Sequence, residues 1–166
     1  MKIYGNEDVK KVLNIAFSHS IPALLVGQTG SGKNTILRHI AKGNNRSDII
    51  RLSLTGETTV DDLIGHYQIK NQSTVWQDGS VTHAVRGGHI LVLDEVNAAQ
   101  PEVLFALQSL LDDDRSLTLT SHDNSVVKAH PNLRVFATMN PTSGYSGTKS
   151  MNKAFLSRFG LVLNID

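Results

Sequence analysis

The chain has 166 residues, enough for one domain with a hydrophobic core that needs no disulfide bonds. It contains no cysteine, which excludes a disulfide framework, a thiolate metal site and a cysteine nucleophile. Its net charge of +1 creates no overall field towards nucleic acid, and no apolar run approaches the length of a signal peptide or membrane span. These features favour a cytoplasmic location and argue against nucleic acid as a partner.

Apolar segments predict five strands, and three of these are apolar nearly throughout, as parallel strands covered on both faces are. The segments are Ala23–Gly27, Ile49–Leu54, Ile90–Asp94, Arg134–Met139 and Leu161–Ile165. Residues with a helical period lie between them, and Asn6 and Pro101 suit the starts of two of these helices. Strands that alternate with helices predict βαβ units, so the fold class is α/β, a parallel five-stranded sheet with helices on both faces.

One segment interrupts the alternation of strands and helices. The stretch “TTVDDLIG” begins a helix with capping-box spacing between Thr58 and Asp61, and Tyr67–Gly79 then has short alternating runs around a polar turn. This pattern predicts a β-hairpin inserted where the helix would continue into “SVTHAVRGG”. Trp76 in this insert is either a packing residue or an exposed contact for a partner, and we favour the contact. A later polar stretch, “SHDNSVVKAHPN”, predicts a hairpin or loop.

The stretch “GQTGSGKNT”, Gly27–Thr35, lies between the first strand and the next helix and nearly matches the phosphate-binding loop G-x-x-x-x-G-K-[ST]. Glycines let the backbone approach a ligand closely, and successive N–H groups with the helix N-terminus then attract phosphate oxygens. The lysine would reach the β- and γ-phosphates. The predicted nucleotide contacts are Gly27, Gln28, Thr29, Gly30, Ser31, Gly32, Lys33, Asn34 and Thr35.

Asn34 departs from the loop pattern, which has Ser or Thr at this position as a hydroxyl ligand for Mg²⁺. The Asn carbonyl oxygen is also a hard, neutral ligand, but it lies farther from the backbone and fits an octahedral shell less well. Thr35 cannot replace it, since one step along a helix turns the side chain by about 100°. We predict weak or water-mediated Mg²⁺ binding at Asn34 and retained nucleotide binding.

Polar residues follow two later strands, at the edge where an open α/β sheet binds ligands. Asp94 ends an apolar strand and would hold the Mg²⁺ shell, and Glu95 would activate the attacking water as general base. Asn140 either orients that water or contacts the γ-phosphate, or else it only starts a turn before Pro141. Arg158, in “FLSRFG”, is either a surface residue or an arginine that stabilises phosphoryl transfer on a neighbouring chain.

Taken in order, these motifs resemble an AAA+ ATPase module of the branch with a hairpin inserted in the second helix. That branch comprises the MoxR, CbbQ/NorQ and GvpN group and is related to dynein and midasin, and the ATPase subunit of cobalt chelatases is also similar. The resemblance rests on “GQTGSGKN” as Walker A, “WQDGSVTHAVRGGHILVLDE” through Walker B, “RVFATMNP” as sensor 1 and “KAFLSRFG” with the arginine finger. It extends from Asn6 to Ile165.

The resemblance implies a P-loop NTPase sandwich that binds ATP or ADP with Mg²⁺ and hydrolyses ATP between subunits of a homo-oligomeric ring, expected to be a hexamer. By the family pattern, Arg158 serves the site of the neighbouring subunit, and Arg115 is a weaker candidate for that role. The residues that serve their own subunit are then Lys33, Asp94, Glu95 and Asn140. Residues 1–166 would form the large α/β subdomain, and we expect the helical lid of the family to be absent from this sequence.

Several functions remain open from the sequence. The resemblance favours a MoxR-like chaperone that hydrolyses ATP slowly to remodel or activate a protein substrate or adaptor, such as a von Willebrand A-type domain protein. Asn34 and the absent lid instead favour a nucleotide-gated binding or assembly module with little turnover. A metal-chelatase ATPase subunit or a nucleic-acid-handling AAA+ protein is least favoured, the latter because the balanced charge provides no basic stripe.

Overall fold

A five-stranded parallel sheet forms the centre of the computed structural model, which describes residues 7–141 and 153–165. Numbered along the chain and taken in spatial order, its strands are β2 (Ile49–Ser53), β5 (Ile90–Asp94), β8 (Arg134–Met139), β1 (Ala23–Val26) and β9 (Leu161–Asn164). The five predicted strands are confirmed, with ends that differ by at most one residue. Because all pairings are parallel, the carboxyl ends of the strands lie along one edge of the sheet.

Helices cover both faces of this sheet, as expected. One face carries α1 (Glu7–Ser18) and α2 (Lys33–Gly43), and the other carries α3 (Val60–Ile64), α4 (Ser80–Gly87), α5 (Pro101–Leu111) and the short α6 (Lys153–Leu156). Within β1, Leu24 packs in the core beneath α3 to α5, while Ala23 and Leu25 pack beneath α1 and α2. This alternation explains why the strands are apolar throughout. Pro101 occupies the first turn of α5 as predicted, and Asn6 falls outside the described residues.

Two β-hairpins adjoin the helices α3, α4 and α5. The predicted insert is formed by β3 (Gly65–Lys70) and β4 (Ser73–Asp78), and a second hairpin by β6 (Ser116–Leu119) and β7 (Ser125–Lys128). Trp76 stacks on His122 in the turn of the second hairpin, with ring centroids 4.6 Å apart, and the Tyr67 hydroxyl is hydrogen-bonded to His122 Nδ1 (2.6 Å). Trp76 is half-buried and joins the two hairpins, so it is a packing residue, contrary to the contact role that we favoured.

The capping box of α3 lies one residue later than the sequence pattern predicts. The Thr59 hydroxyl accepts a hydrogen bond from the Asp62 backbone N–H (3.2 Å), and the Asp62 carboxylate accepts one from the Thr59 N–H (3.0 Å). The predicted pair of Thr58 and Asp61 is therefore wrong. The Thr58 hydroxyl is instead used in the preceding turn, where it accepts a hydrogen bond from the Thr55 N–H (2.9 Å).

Candidate nucleotide-binding site

The loop between β1 and α2 lies at the carboxyl edge of the sheet and has the backbone that a phosphate motif requires. Gly27 passes so close to the end of β9 that an added Cβ would lie 2.2 Å from the Ile165 carbonyl oxygen, so no larger residue fits. Gly30 and Gly32 both have a φ of +86°, in the left-handed region that other residues rarely adopt. The departure of the chain from β1 into α2 therefore depends on glycine.

Lys33 is the first residue of α2, and it is only 8% exposed. Its ammonium group donates to the carbonyls of Gly27 (2.5 Å) and Gln28 (2.8 Å) and to Asn140 Oδ1 (3.3 Å). Burial lowers the pKa of Lys33, and the negative charges of Asp94 and Glu95 oppose that shift. None of the three acceptors carries a charge, so Lys33 is a buried cation whose charge a phosphate group can neutralise.

Asp94 ends β5 and Glu95 follows it, and the two carboxylates lie in different environments. Asp94 is 3% exposed, and the Thr138 hydroxyl, from the neighbouring strand β8, donates to its Oδ1 (2.8 Å). Glu95 has a φ of +56°, which turns the chain out of the strand, and its backbone N–H donates to the same hydroxyl (3.3 Å). The Glu95 side chain is exposed. One carboxylate is therefore fixed for ligand binding, while the other is accessible to water, as a general base must be. Thr138 was missed, although a polar residue within the apolar run “RVFATM” was a signal.

Asn140 follows β8 and reaches the same place. Its side-chain oxygen accepts the hydrogen bond from Lys33, and its backbone carbonyl accepts one from Asn97 Nδ2 (3.5 Å). Asn97 is 3% exposed, and its Oδ1 has no hydrogen-bond partner among the described residues. Asn140 therefore lies beside Lys33 at the polar cavity, a position that favours either of the two site roles over that of a simple turn former.

An arginine that the sequence analysis missed lies next to the acidic pair. Arg51, from the edge strand β2, forms an ion pair through Nε with Asp94 Oδ2. Asn34 lies beside both residues. With its amide oriented so that each atom has a partner, Nδ2 donates to Asp94 Oδ1 (3.2 Å) and Oδ1 accepts from Arg51 Nη2 (2.7 Å). No local sequence signal marks Arg51, because only the pairing of β2 with β5 brings it to Asp94.

Two cavities adjoin the loop and share Thr29. The first, of about 210 Å³, is polar and charged, lined by Thr29, Gly30, Lys33, Asn34, Arg51, Ser53, Asp94, Glu95, Thr138 and Asn140. The second, of about 470 Å³, is lined by Val26, Gly27, Gln28, Thr29, Ser31, Pro141, Asn164 and Ile165. The buried Ser31 Oγ has no hydrogen-bond partner in the described part of the chain. Thr35, also predicted as a contact, is exposed on α2 and lines neither cavity.

The residues present fit a nucleoside triphosphate. The polar cavity offers the buried Lys33 and a glycine-rich loop to phosphates. In the second cavity, the Ser31 hydroxyl has no hydrogen-bond partner among the described residues and can bond a ligand. For a divalent cation, Asp94 and Asn34 offer oxygens of the kind that Mg²⁺ prefers. In the structure, however, an oxygen of each side chain is bonded to Arg51, so this guanidinium and a cation require the same ligands.

The two arginines considered for a neighbouring subunit lie outside the polar cavity of their own chain. Arg158 follows α6, with Nε 2.9 Å from Asp112 Oδ1 and Nη1 donating to the Ala154 carbonyl (2.7 Å). It borders a cleft at the acidic end of α5. Arg115 donates from Nη2 to the Leu133 carbonyl (2.6 Å), and burial lowers its pKa. In this structure both guanidinium groups are bonded within their own chain.

The sheet order, the glycine-rich loop after β1 and the acidic end of β5 define a P-loop nucleoside triphosphatase fold. Residues 22–159 match the model of the AAA domain of the dynein-related subfamily, and the chain belongs to this family of AAA-type ATPases. The predicted dynein- and midasin-related AAA+ core is thus confirmed. No helix in the described part of the chain is long and apolar enough to cross a bilayer.

Known proteins resemble this chain over nearly its whole length. It is 36% identical over 149 residues to midasin of Giardia intestinalis. The aligned region covers 89% of this chain and 3% of that protein. The chain is 35% identical over 169 residues to an uncharacterised protein of Staphylococcus haemolyticus, covering 99% of this chain and 62% of the relative. The crystal structure of a candidate ATPase from Cytophaga hutchinsonii matches with a TM-score of 0.74 at 22% identity, over 98% of this chain and 46% of that one. The chain therefore spans less than two thirds of each of these proteins.

Proposed function

We propose that this domain binds ATP with Mg²⁺ in the polar cavity and hydrolyses it within a homo-oligomeric ring that remodels a protein partner. The observation that carries the proposal is the meeting of four predicted side chains around one cavity beside the phosphate-type loop. These are Lys33, Asp94, Glu95 and Asn140. A lysine, a buried carboxylate, an accessible carboxylate and an amide suit the hydrolysis of a phosphoanhydride. Membership in an ATPase family supports the same reaction.

In this reaction Lys33 exchanges its carbonyl contacts for oxygens of the β- and γ-phosphates and neutralises their charge. Glu95 accepts a proton from water as the water oxygen bonds to the γ-phosphorus. The bond from that phosphorus to the β–γ bridging oxygen breaks, and ADP and phosphate are released. Asn140 orients the water through its amide. Mg²⁺, when held near Asp94, supplies further neutralisation of the phosphate charge.

The ring belongs to the same proposal, with a hexamer in the cytoplasm as the expected form. Arg158 would leave Asp112 on assembly and place its guanidinium at the γ-phosphate of the neighbouring subunit. Its position supports this role, because it lies at a surface cleft away from the polar cavity of its own chain. The partner would be a protein substrate or adaptor, such as a von Willebrand A-type domain protein.

Steady-state ATP hydrolysis by wild type and Glu95→Gln tests this proposal. We expect the rate to fall about 100-fold or more, because the amide cannot accept the proton. Glu102→Gln, the same change at an exposed position of α5, is the matched control and should leave the rate unchanged. Mixing Glu95→Gln with Arg158→Ala subunits should restore activity at some interfaces. At these, Glu95 comes from an Arg158→Ala subunit and Arg158 comes from a neighbouring Glu95→Gln subunit. Equal rates for wild type and Glu95→Gln would refute the proposal.

A second candidate is a nucleotide-gated assembly module with little turnover. The contacts of Asn34 and Asp94 with Arg51 favour it, because they use the oxygens that would hold Mg²⁺. The same measurements separate the candidates. A module of this kind binds the non-hydrolysable analogue AMP-PNP and changes its assembly state, whereas its wild-type hydrolysis is no faster than that of Glu95→Gln.

A further inference from the structure

Among the charged residues that line the polar cavity, Arg51 is the one to which the proposed reaction assigns no role. It comes from an edge strand, but its charged end reaches the functional edge of the sheet and pairs with Asp94. The Asp94 carboxylate is almost completely buried and accepts a second bond from Thr138. A buried carboxylate requires a counter-charge. In this structure the guanidinium of Arg51 provides it.

Asn34 adds a second, independent contact to the same guanidinium. Its amide has a donor and an acceptor on separate atoms, so it can donate to Asp94 and accept from Arg51 at the same time. A Thr hydroxyl would have to make both bonds from one oxygen atom. The residue that breaks the phosphate-loop pattern is therefore suited to hold a guanidinium in place beside the carboxylate.

The guanidinium of Arg51 also retains capacity for a ligand. Among the described residues, its contacts with Asp94 and Asn34 engage two of the five N–H donors that a guanidinium carries. Its side chain is 42% exposed and lines the polar cavity together with Lys33. Planar guanidinium groups bind phosphate oxygens through pairs of parallel hydrogen bonds.

We propose that Arg51 binds the phosphates of the nucleotide while it remains the counter-ion of Asp94, so that binding of a nucleoside triphosphate here does not require a divalent cation. Lys33 and Arg51 then supply two positive charges to the phosphates. A cation that binds to Asn34 and Asp94 competes with Arg51 for their oxygens, and it binds more weakly for that reason. This inference rests on the proposed nucleotide site and adds a residue to it.

Calorimetric titration with AMP-PNP tests the inference, in buffer with EDTA and in buffer with excess Mg²⁺. The proteins are wild type, Arg51→Gln and the charge-conserving Arg51→Lys. Arg86→Gln is the matched control, because Arg86 also pairs with an aspartate, Asp78 (2.9 Å), but lies on the surface of α4. Electron paramagnetic resonance then measures the affinity of Mn²⁺ for each AMP-PNP complex, a quantity that does not depend on catalysis.

Wild type should bind AMP-PNP in EDTA within about threefold of its affinity in Mg²⁺. Arg51→Gln should bind about 30-fold more weakly in EDTA, the loss of a charge-assisted contact, and regain affinity with Mg²⁺. Mn²⁺ should bind about tenfold more tightly to Arg51→Gln, because its competitor is gone. Arg51→Lys should lie between the two, and Arg86→Gln should match wild type.

The inference is overturned if wild type requires Mg²⁺ for binding, or if Arg51→Gln binds AMP-PNP in EDTA as tightly as wild type. Either result leaves the proposed ATPase function standing. Wild type that binds AMP-PNP in neither buffer would refute the nucleotide site itself, and the inference with it.

Discussion

Two arginine–aspartate pairs lie at opposite ends of the central sheet and differ in what surrounds them. Before β2, at the amino end, Arg46 donates to both carboxylate oxygens of Asp48 (2.6 and 2.5 Å). It also donates to two backbone carbonyls, one before β5 and one before β8 (2.6 and 3.1 Å). At the carboxyl end, Arg51 pairs with Asp94 at the wall of a polar cavity. The first guanidinium joins three loops, whereas the second faces space for a ligand.

The difference teaches how the same pair of residues can serve stability or function. The protein neutralises the charge of Arg46 and engages four of its five N–H donors, so at most one donor is left for a ligand. Arg51 and Lys33 hold contacts that phosphate oxygens can supplement or replace. Substitutions at the amino end of the sheet should therefore mainly lower the stability of the fold. Substitutions at the carboxyl end should mainly weaken ligand binding.

The largest effect that sharpens this comparison is expected for Lys33→Met. Affinity for AMP-PNP should fall about 100-fold or more, because the variant lacks the buried ammonium group that neutralises the phosphates. The free energy of unfolding should change by about 1 kcal/mol or less, since the lost hydrogen bonds and the relief of a buried charge oppose each other. Calorimetry and urea denaturation measure the two quantities. A strong loss of stability would show that this lysine serves the fold.

Replacing each arginine by glutamine compares the two pairs directly. Arg46→Gln should lower the free energy of unfolding by about 2–3 kcal/mol, because a carboxylate and two carbonyls lose a charged donor. Arg51→Gln should cost less, about 1–2 kcal/mol, since Gln and water in the cavity can still donate hydrogen bonds to the buried Asp94 carboxylate. Urea denaturation with and without Mg²⁺ measures the free energy of unfolding of each variant. Mg²⁺ should restore the stability of Arg51→Gln but not that of Arg46→Gln. If both variants lose the same free energy of unfolding and Mg²⁺ alters neither loss, the distinction between a structural and a ligand-binding arginine is wrong.

A smaller effect is expected in acid, and it concerns Asp48. The hydrogen bond from Arg46 lowers the pKa of Asp48, with a lesser contribution from the charge of His89 when protonated. Because the pKa in the folded state lies below the ordinary value of 3.8, the stabilisation is complete above that value and is lost as pH falls through the folded-state pKa. Arg46→Gln should therefore raise the acid-unfolding midpoint by about 0.5 pH unit.

Circular dichroism during acid titration at constant urea measures that midpoint. Arg51→Gln is the matched variant, and its acid midpoint should stay closer to that of wild type. An unchanged midpoint for Arg46→Gln would mean that Asp48 gains nothing from its partner in the folded state.

The features that sequence could predict are those carried by neighbouring residues. Apolar runs give the five strands, and the spacing of “GQTGSGKN” gives the loop, because both patterns lie within one short segment. The error at the cap of α3 came from two adjacent threonines, Thr58 and Thr59, which the spacing rule does not separate. Trp76 was misjudged because its stacking partner, His122, lies on another hairpin.

By itself, the sequence determined the family, the parallel sheet and a phosphate loop with one unusual residue, Asn34, since each follows from local spacing and periodicity. Only the tertiary structure decided what that residue contacts. The parallel pairing of β2 with β5 brings Arg51 to Asp94, and the start of α2 brings Asn34 to both. Charges that are distant along the chain interact once a strand register sets their distance, and a sequence motif does not contain that register.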